Sequence, residues 1–89
     1  MEKYVVNESF QEMQLGDGEG TVFYDPESEN THILDDVALD IIDLFRNSMT
    51  VEDVIGELAK LYGESQQKIE MDVKEFVEMA VKCKILVSI

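Results

Sequence analysis

The sequence predicts an α+β domain, a three-stranded antiparallel sheet followed by three helices, and three observations carry that prediction. Between Phe10 and Leu34, short apolar runs rich in β-branched and aromatic residues are separated by glycine-rich and proline-containing turns. From Asp35 onward, apolar residues recur at helical spacing, and a capping residue stands where each run begins. The change occurs without a linker, because Thr31-His32-Ile33-Leu34 runs directly into Asp35-Asp36. A strand that feeds at once into a helix leaves little chain to cover its outer edge, and an uncovered edge is a row of unpaired N–H and C=O groups.

Taken in order, the chain opens with Tyr4-Val5-Val6, read as an extended N-terminal strand or a loosely packed lead-in. Phe10 to Leu15 is apolar at 10, 13 and 15, which suits a strand with an irregularity better than a six-residue helix. Gly16-Asp17-Gly18-Glu19-Gly20 marks a hairpin turn. The same glycines suggest a phosphate loop, but no lysine follows and no helix N-terminus comes after them to hold an anion. Thr21 to Asp25 is the second strand, and Pro26 sets φ for a type I turn over Asp25-Pro26-Glu27-Ser28. Thr31 to Leu34 returns as the last strand of the meander, and that order makes it an edge.

The first helix starts on Asp35 or Asp36, with an apolar stripe of Val37, Ala38, Ile41, Ile42, Leu44 and Phe45 and with Asp40 and Asp43 toward water. Thr50 caps the second helix, and Asp53 takes the place that a capping box gives to Glu or Gln. Val51, Val54, Ile55, Leu58, Ala59 and Tyr62 form its stripe, and Gly63 stops it. The third helix runs from Ser65 to about Cys83. Ile69, Val73, Phe76, Val77 and Ala80 make one stripe, while Met71, Met79 and Val81 spread apolar character beyond it. A helix apolar over more than one face must touch more than one partner. Lys84 to Ile89 reads as a short strand or an extended tail. With no repeat, linker or low-complexity tract, residues 1–89 are expected to form one domain.

Composition excludes several function classes. The 89 residues are 45% hydrophobic and 30% charged, enough apolar content for a modest core but little for a deep cofactor cleft. Twenty acidic residues against seven basic give a formal net charge of −13. Such a chain would repel phosphates, so neither nucleic acid nor an anionic membrane is an expected partner, while a basic peptide or enzyme surface would be steered toward it. Cys83 is the one cysteine and His32 the one histidine, so no disulfide, Ser-His-Asp set, Cys-His pair or structural zinc site is expected, and no cofactor. Cys83 reads as packing. The acidic stretches at 25–30 and 35–36 lack the ligand alternation, glycine and closing Glu of a calcium loop. Asp72 and Glu75, three apart, read as a solvated helix face. The absence of a basic-then-apolar N-terminus and of a membrane-length apolar run predicts a cytoplasmic protein.

One family brings these residues together. Val22-Phe23-Tyr24-Asp25-Pro26-Glu27, then Thr31-His32-Ile33-Leu34-Asp35-Asp36-Val37-Ala38-Leu39-Asp40-Ile41-Ile42-Asp43-Leu44-Phe45, then Thr50-Val51-Glu52-Asp53-Val54-Ile55-Gly56-Glu57-Leu58 and a third helix carrying Met71-Asp72-Val73-Lys74-Glu75-Phe76-Val77 resemble the PqqD-like proteins. These are small winged helix-turn-helix-like domains, also called RiPP recognition elements after the ribosomally made, post-translationally modified peptides whose precursors they bind. The similarity spans roughly residues 15–87. The family usually has Leu-Asn at the strand–helix junction where this chain has Leu34-Asp35, a change that keeps a helix-capping side chain.

The resemblance implies a non-catalytic protein that holds the leader of a precursor peptide as an added strand and presents it to a modifying enzyme, such as a radical-SAM enzyme, a leader peptidase or a cyclase. Carried onto this chain, it implies main-chain pairing along Thr31, His32, Ile33 and Leu34 and a helix wall of Ile69, Asp72, Val73 and Phe76. Which of His32 and Ile33 faces the groove depends on register, since a slip of one residue turns every side chain over. Two other classes compete: a winged-helix transcription regulator, and an accessory subunit that binds a partner enzyme without peptide. The first is disfavoured because the second and third helices offer only Lys60, Lys68, Lys74 and Lys82 against eight carboxylates that run from Glu52 to Glu78.

Overall fold

The computed structural model describes residues 2–16, 20–27 and 29–89, and in these the chain forms six strands and three helices. The meander expected from the sequence is present. Strand β2 (Gln11–Gln14) pairs with β3 (Thr21–Asp25), and β3 pairs with β4 (Asn30–Leu34), all antiparallel, with β4 at the edge. Gly20 has φ +96°, and a Cβ there would lie 2.8 Å from the Leu34 carbonyl oxygen, so the hairpin can close only over a glycine. The centre of that turn, residues 17–19, lies outside the described residues. The type I turn expected over 25–28 includes Ser28, which also lies outside them. Around it the Asp25 carboxylate accepts from Glu27 N at 3.1 Å, and the Asp25 carbonyl accepts from Glu29 N at 2.8 Å.

The expected architecture lacked a second sheet, which the structure contains. Strand β1 (Lys3–Val6) lies between β5 (Met49–Thr50) and β6 (Leu86–Ser88), antiparallel to both, with Lys3 opposite Thr50 and Val6 opposite Leu86. The two ends of the chain are thereby pinned together, and Asn7 N donates to the Ile85 carbonyl at 2.8 Å just beyond the pairing. The tail that the sequence left open is fixed by burial: Ile85 and Leu86 are enclosed in the core. Fully burying one such side chain contributes roughly 1.5–3 kcal/mol, enough to offset most or all of the cost of ordering that residue.

Helix α1 (Asp36–Leu44) starts on Asp35, whose carboxylate accepts from Ala38 N at 2.9 Å. Helix α2 (Val51–Tyr62) carries the anticipated capping box. The Thr50 hydroxyl accepts from Asp53 N, the Asp53 carboxylate accepts from Thr50 N, and Gly63 closes the helix in the left-handed region at φ +64°. Helix α3 (Gln66–Lys82) follows. Phe23, Phe45, Ile41, Ile42, Leu58, Val54 and Val73 form the centre of the core, where the sheet meets all three helices. Tyr4 meets Phe45 edge to face at 6.3 Å, joining the second sheet to α1.

Two side chains of α1 depart from the helical stripe. Val37 is exposed, and Asp40, expected in water, is half-buried and accepts a hydrogen bond from the Tyr62 hydroxyl. Cys83 is a half-buried free thiol packed against the core. No helix among the described residues is long and apolar enough to cross a membrane.

Candidate functional site

Among the described residues, strand β4 has a neighbouring strand on one side only, and the ladder fixes which of its groups point outward. Leu15 N donates to the Gly20 carbonyl at 3.1 Å, so Leu15 and Gly20 are a bonded pair across the hairpin. In an antiparallel sheet a residue's N–H and C=O point the same way and alternate along the strand. With Val22 opposite Met13 and Tyr24 opposite Gln11, Val22 and Tyr24 therefore bond to β2. Thr21, Phe23 and Asp25 then turn to β4, where Leu34, His32 and Asn30 face them. The N–H and C=O groups left pointing off the sheet are those of Thr31 and Ile33. Of the four residues singled out from sequence, two offer main-chain hydrogen bonds at the free edge and His32 and Leu34 close the sheet.

Side-chain direction follows the same alternation. Leu34 is buried beneath the sheet, and His32, opposite buried Phe23, is half-buried. The His32 Nε2 atom is enclosed with no hydrogen-bond partner among the described residues. Thr31 is exposed, and Ile33 is 67% exposed. This answers the question of register: Ile33 is the outward side chain and His32 the inward one.

Beside the edge lies a cleft of about 400 Å³. Ile33, Leu34 and Asp35 form its strand side, Val37, Ala38 and Ile41 its floor along α1, and Asp72, Phe76 and Met79 its far wall on α3. Of the four α3 residues named from sequence, Asp72 and Phe76 line this cleft. Ile69 and Val73 do not; at 8% and 1% exposure they are core, on the adjoining face of the helix. The α1 floor and Met79 were missed. Met79 was legible, since it follows Phe76 by three residues and Asp72 by seven and so shares their face.

The lining is apolar except for two carboxylates. Asp35 is already engaged in capping α1. Asp72 is exposed and makes no salt bridge among the described residues. The field on the Asp35 side is visible at Tyr62, whose phenol is pushed up to about 12, first by desolvation, then by its hydrogen bond to Asp40, with the charges of Asp40, Asp35 and Asp36 adding to it. Elsewhere Arg46 donates to Glu12 and Asp43, ties β2 to the end of α1, and is held more firmly protonated by those bonds. An open strand edge beside an apolar trough can hold an extended peptide: main-chain bonds set its register and the trough receives alternate side chains.

The family model described as coenzyme PQQ synthesis protein D (PqqD) matches residues 20–86. Among solved structures, the chain is similar to TbiB1 in complex with the TbiA(beta) leader peptide, at 15% identity and a TM-score of 0.75, covering 92% of this chain and 93% of that one. It is similar to lasso peptide synthetase B1 complexed with the leader peptide, at 19% identity and a TM-score of 0.76, over 94% and 96%. It is similar also to the PqqD truncation of Methylobacterium extorquens PqqCD, solved in solution as a stand-alone RiPP recognition element, at 20% identity and a TM-score of 0.74, over 96% and 88%. These likenesses establish the fold. No curated protein matches the chain in sequence. The family match begins just before β3, takes in β4 and all three helices, and ends at the first residue of β6, so the chain belongs to the PqqD family.

Proposed function

We propose that this chain is a non-catalytic recognition protein that binds the leader of a ribosomally made precursor peptide by strand addition at β4 and presents it to a modifying enzyme. The observation that carries the reading is the free edge of β4, with the outward N–H and C=O groups of Thr31 and Ile33 set directly beside the cleft walled by Asp72, Phe76 and Met79. Two of the proteins that share the fold were solved with leader peptides bound. Residues 1–89 act as one cytoplasmic recognition unit whose second partner is a radical-SAM enzyme, leader peptidase or cyclase, and the chain works without a cofactor.

The test is a titration of the labelled full chain with synthetic leader segments of candidate precursor peptides, chosen from any short open reading frames found beside its gene, followed by amide chemical shifts. Saturable shifts are expected at residues 31–34, 37–41 and 72–79, with Gln11–Gln14 and the second sheet little changed. Shifts confined to the second sheet, or no binding, would overturn the reading.

A further inference from the structure

Among the described residues, the cleft carries carboxylates and no counter-cation of its own. Its lining holds Asp35 and Asp72 and no basic residue. Five of the seven basic side chains are committed elsewhere: Arg46 to Glu12 and Asp43, Lys60 to Glu57, Lys68 to Glu64, Lys74 to Glu70 and Lys82 to Glu78. Among the described residues, neither Lys3 nor Lys84 makes a salt bridge. Lys3 lies on β1 in the second sheet, and Lys84 beyond the end of α3.

A strand laid along β4 covers part of this lining and takes water from both carboxylates. With only apolar side chains it would leave the Asp72 carboxylate desolvated and unpaired and the Asp35 carboxylate with only its capping bond from Ala38 N, which is costly. With an acidic side chain it would add repulsion to the same cost. A lysine or arginine offsets both, and its aliphatic stem can lie on the apolar floor while the charged end reaches the rim. Selectivity then comes as much from rejecting neutral and acidic strands as from attracting basic ones.

We propose that the cleft selects a peptide strand in which a lysine or arginine stands among aliphatic or aromatic residues, with the cation seated between Asp72 and Asp35. This rests on the strand-addition reading and narrows the chemistry of the leader that it accepts. The net charge of −13 works in the same direction at longer range, raising the encounter rate of a basic peptide in a salt-dependent way.

The test pans a phage library of short random peptides against the full chain and repeats it with three variants, Asp72→Asn, Asp72→Lys and Asp35→Asn. Asn retains the capping acceptor of α1, so Asp35→Asn removes the charge and leaves the helix start intact. Enriched peptides should carry Lys or Arg flanked by apolar residues and should shift the amides of Ile33, Asp72, Phe76 and Met79. Each neutral variant should weaken them about fivefold, the upper range for a rim ion pair, and Asp72→Lys should turn the preference to Asp or Glu. Peptides that bind at those amides with no basic residue would overturn the selectivity and leave strand addition standing. Basic enrichment indifferent to the three variants would assign it to net charge and also overturn the selectivity. Peptides that bind elsewhere, or none retained, would overturn both.

Discussion

The two faces of α3 are offset by a single residue and do opposite work. Ile69, Val73, Val77 and Ala80 are buried against the sheet and the other helices, while Asp72, Phe76 and Met79, on the adjoining face, are exposed or half-buried and wall the cleft. Both sets obey the same helical spacing. The difference teaches that the working surface of this helix is a second, narrower stripe laid beside the structural one. A residue's place relative to β4 and α1, more than its hydrophobicity, decides which stripe it serves.

The largest expected effect comes from exchanging the character of neighbours across that boundary. Val73 is 1% exposed, so Val73→Asp puts a carboxylate into the core and should remove about 4 kcal/mol of stability, much of what a domain this size possesses. Asp72→Val, one position away, should change stability by less than about 0.5 kcal/mol, because the site is exposed. Urea unfolding of the two variants measures the contrast directly. Equal losses would mean that the two stripes are not distinct.

A second comparison sets alternate residues of β4 against each other. The N–H of Ile33 points off the sheet and that of His32 into it, so proline should act differently at the two positions. Proline is tolerated on an edge strand where its missing N–H faces solvent. Ile33→Pro should therefore fold with a loss of about 1 kcal/mol and bind leader peptide about tenfold more weakly, having lost a donor and clear passage along the edge. His32→Pro removes a ladder bond to β3 and should cost about 2–3 kcal/mol. Thermal melts and peptide titration of both variants check the assignment. The reverse order of stability would mean that the peptide's bonds go to His32 and Leu34.

What was legible in the sequence was local. The Thr50–Asp53 capping box, the Gly63 stop and the run Thr21–Asp25 are each written within a few adjacent residues and the structure has them as read, while the cap expected at Asp35 or Asp36 falls on Asp35. The second sheet was not legible, because β5 is two residues long, carries no period, and pairs with β1 at the far end of the chain. His32 and Ile33 were indistinguishable for a related reason. Parity on an edge strand is set by its partner, and Phe23, buried beneath β3, decides it. The cleft was half legible: Asp72, Phe76, Ile33 and Leu34 were named, whereas Ala38 and Ile41 looked like ordinary α1 core, since nothing in a stripe says that part of it borders a trough. Ile69 and Val73 were drawn onto the wall by the same helical period that places them in the core.

The smallest expected effect gives a probe of the cleft's acidic side. Tyr62 donates to Asp40, and its phenol titrates at about 12 instead of 10.0, chiefly through desolvation and then through that bond and the nearby charges. Because the folded state holds the proton more tightly than the unfolded state, the contribution to stability is complete below pH 10 and is lost as pH rises from 10.0 toward about 12. The side chain is 38% exposed, so Tyr62→Phe should alter neutral-pH stability by less than about 1 kcal/mol while removing this raised phenol and flattening the alkaline limb of the stability curve. Absorbance titration of phenolate alongside urea melts at rising pH tests both statements, and an unchanged alkaline limb would contradict them. Asp35 is among the charges that raise this phenol and also lines the cleft, so a bound lysine peptide should lower the Tyr62 pKa and a neutral peptide should lower it less. That difference would place the peptide's cation on the α1 side of the cleft as well as on the α3 side, and its absence would leave Asp72 as the sole acidic contact.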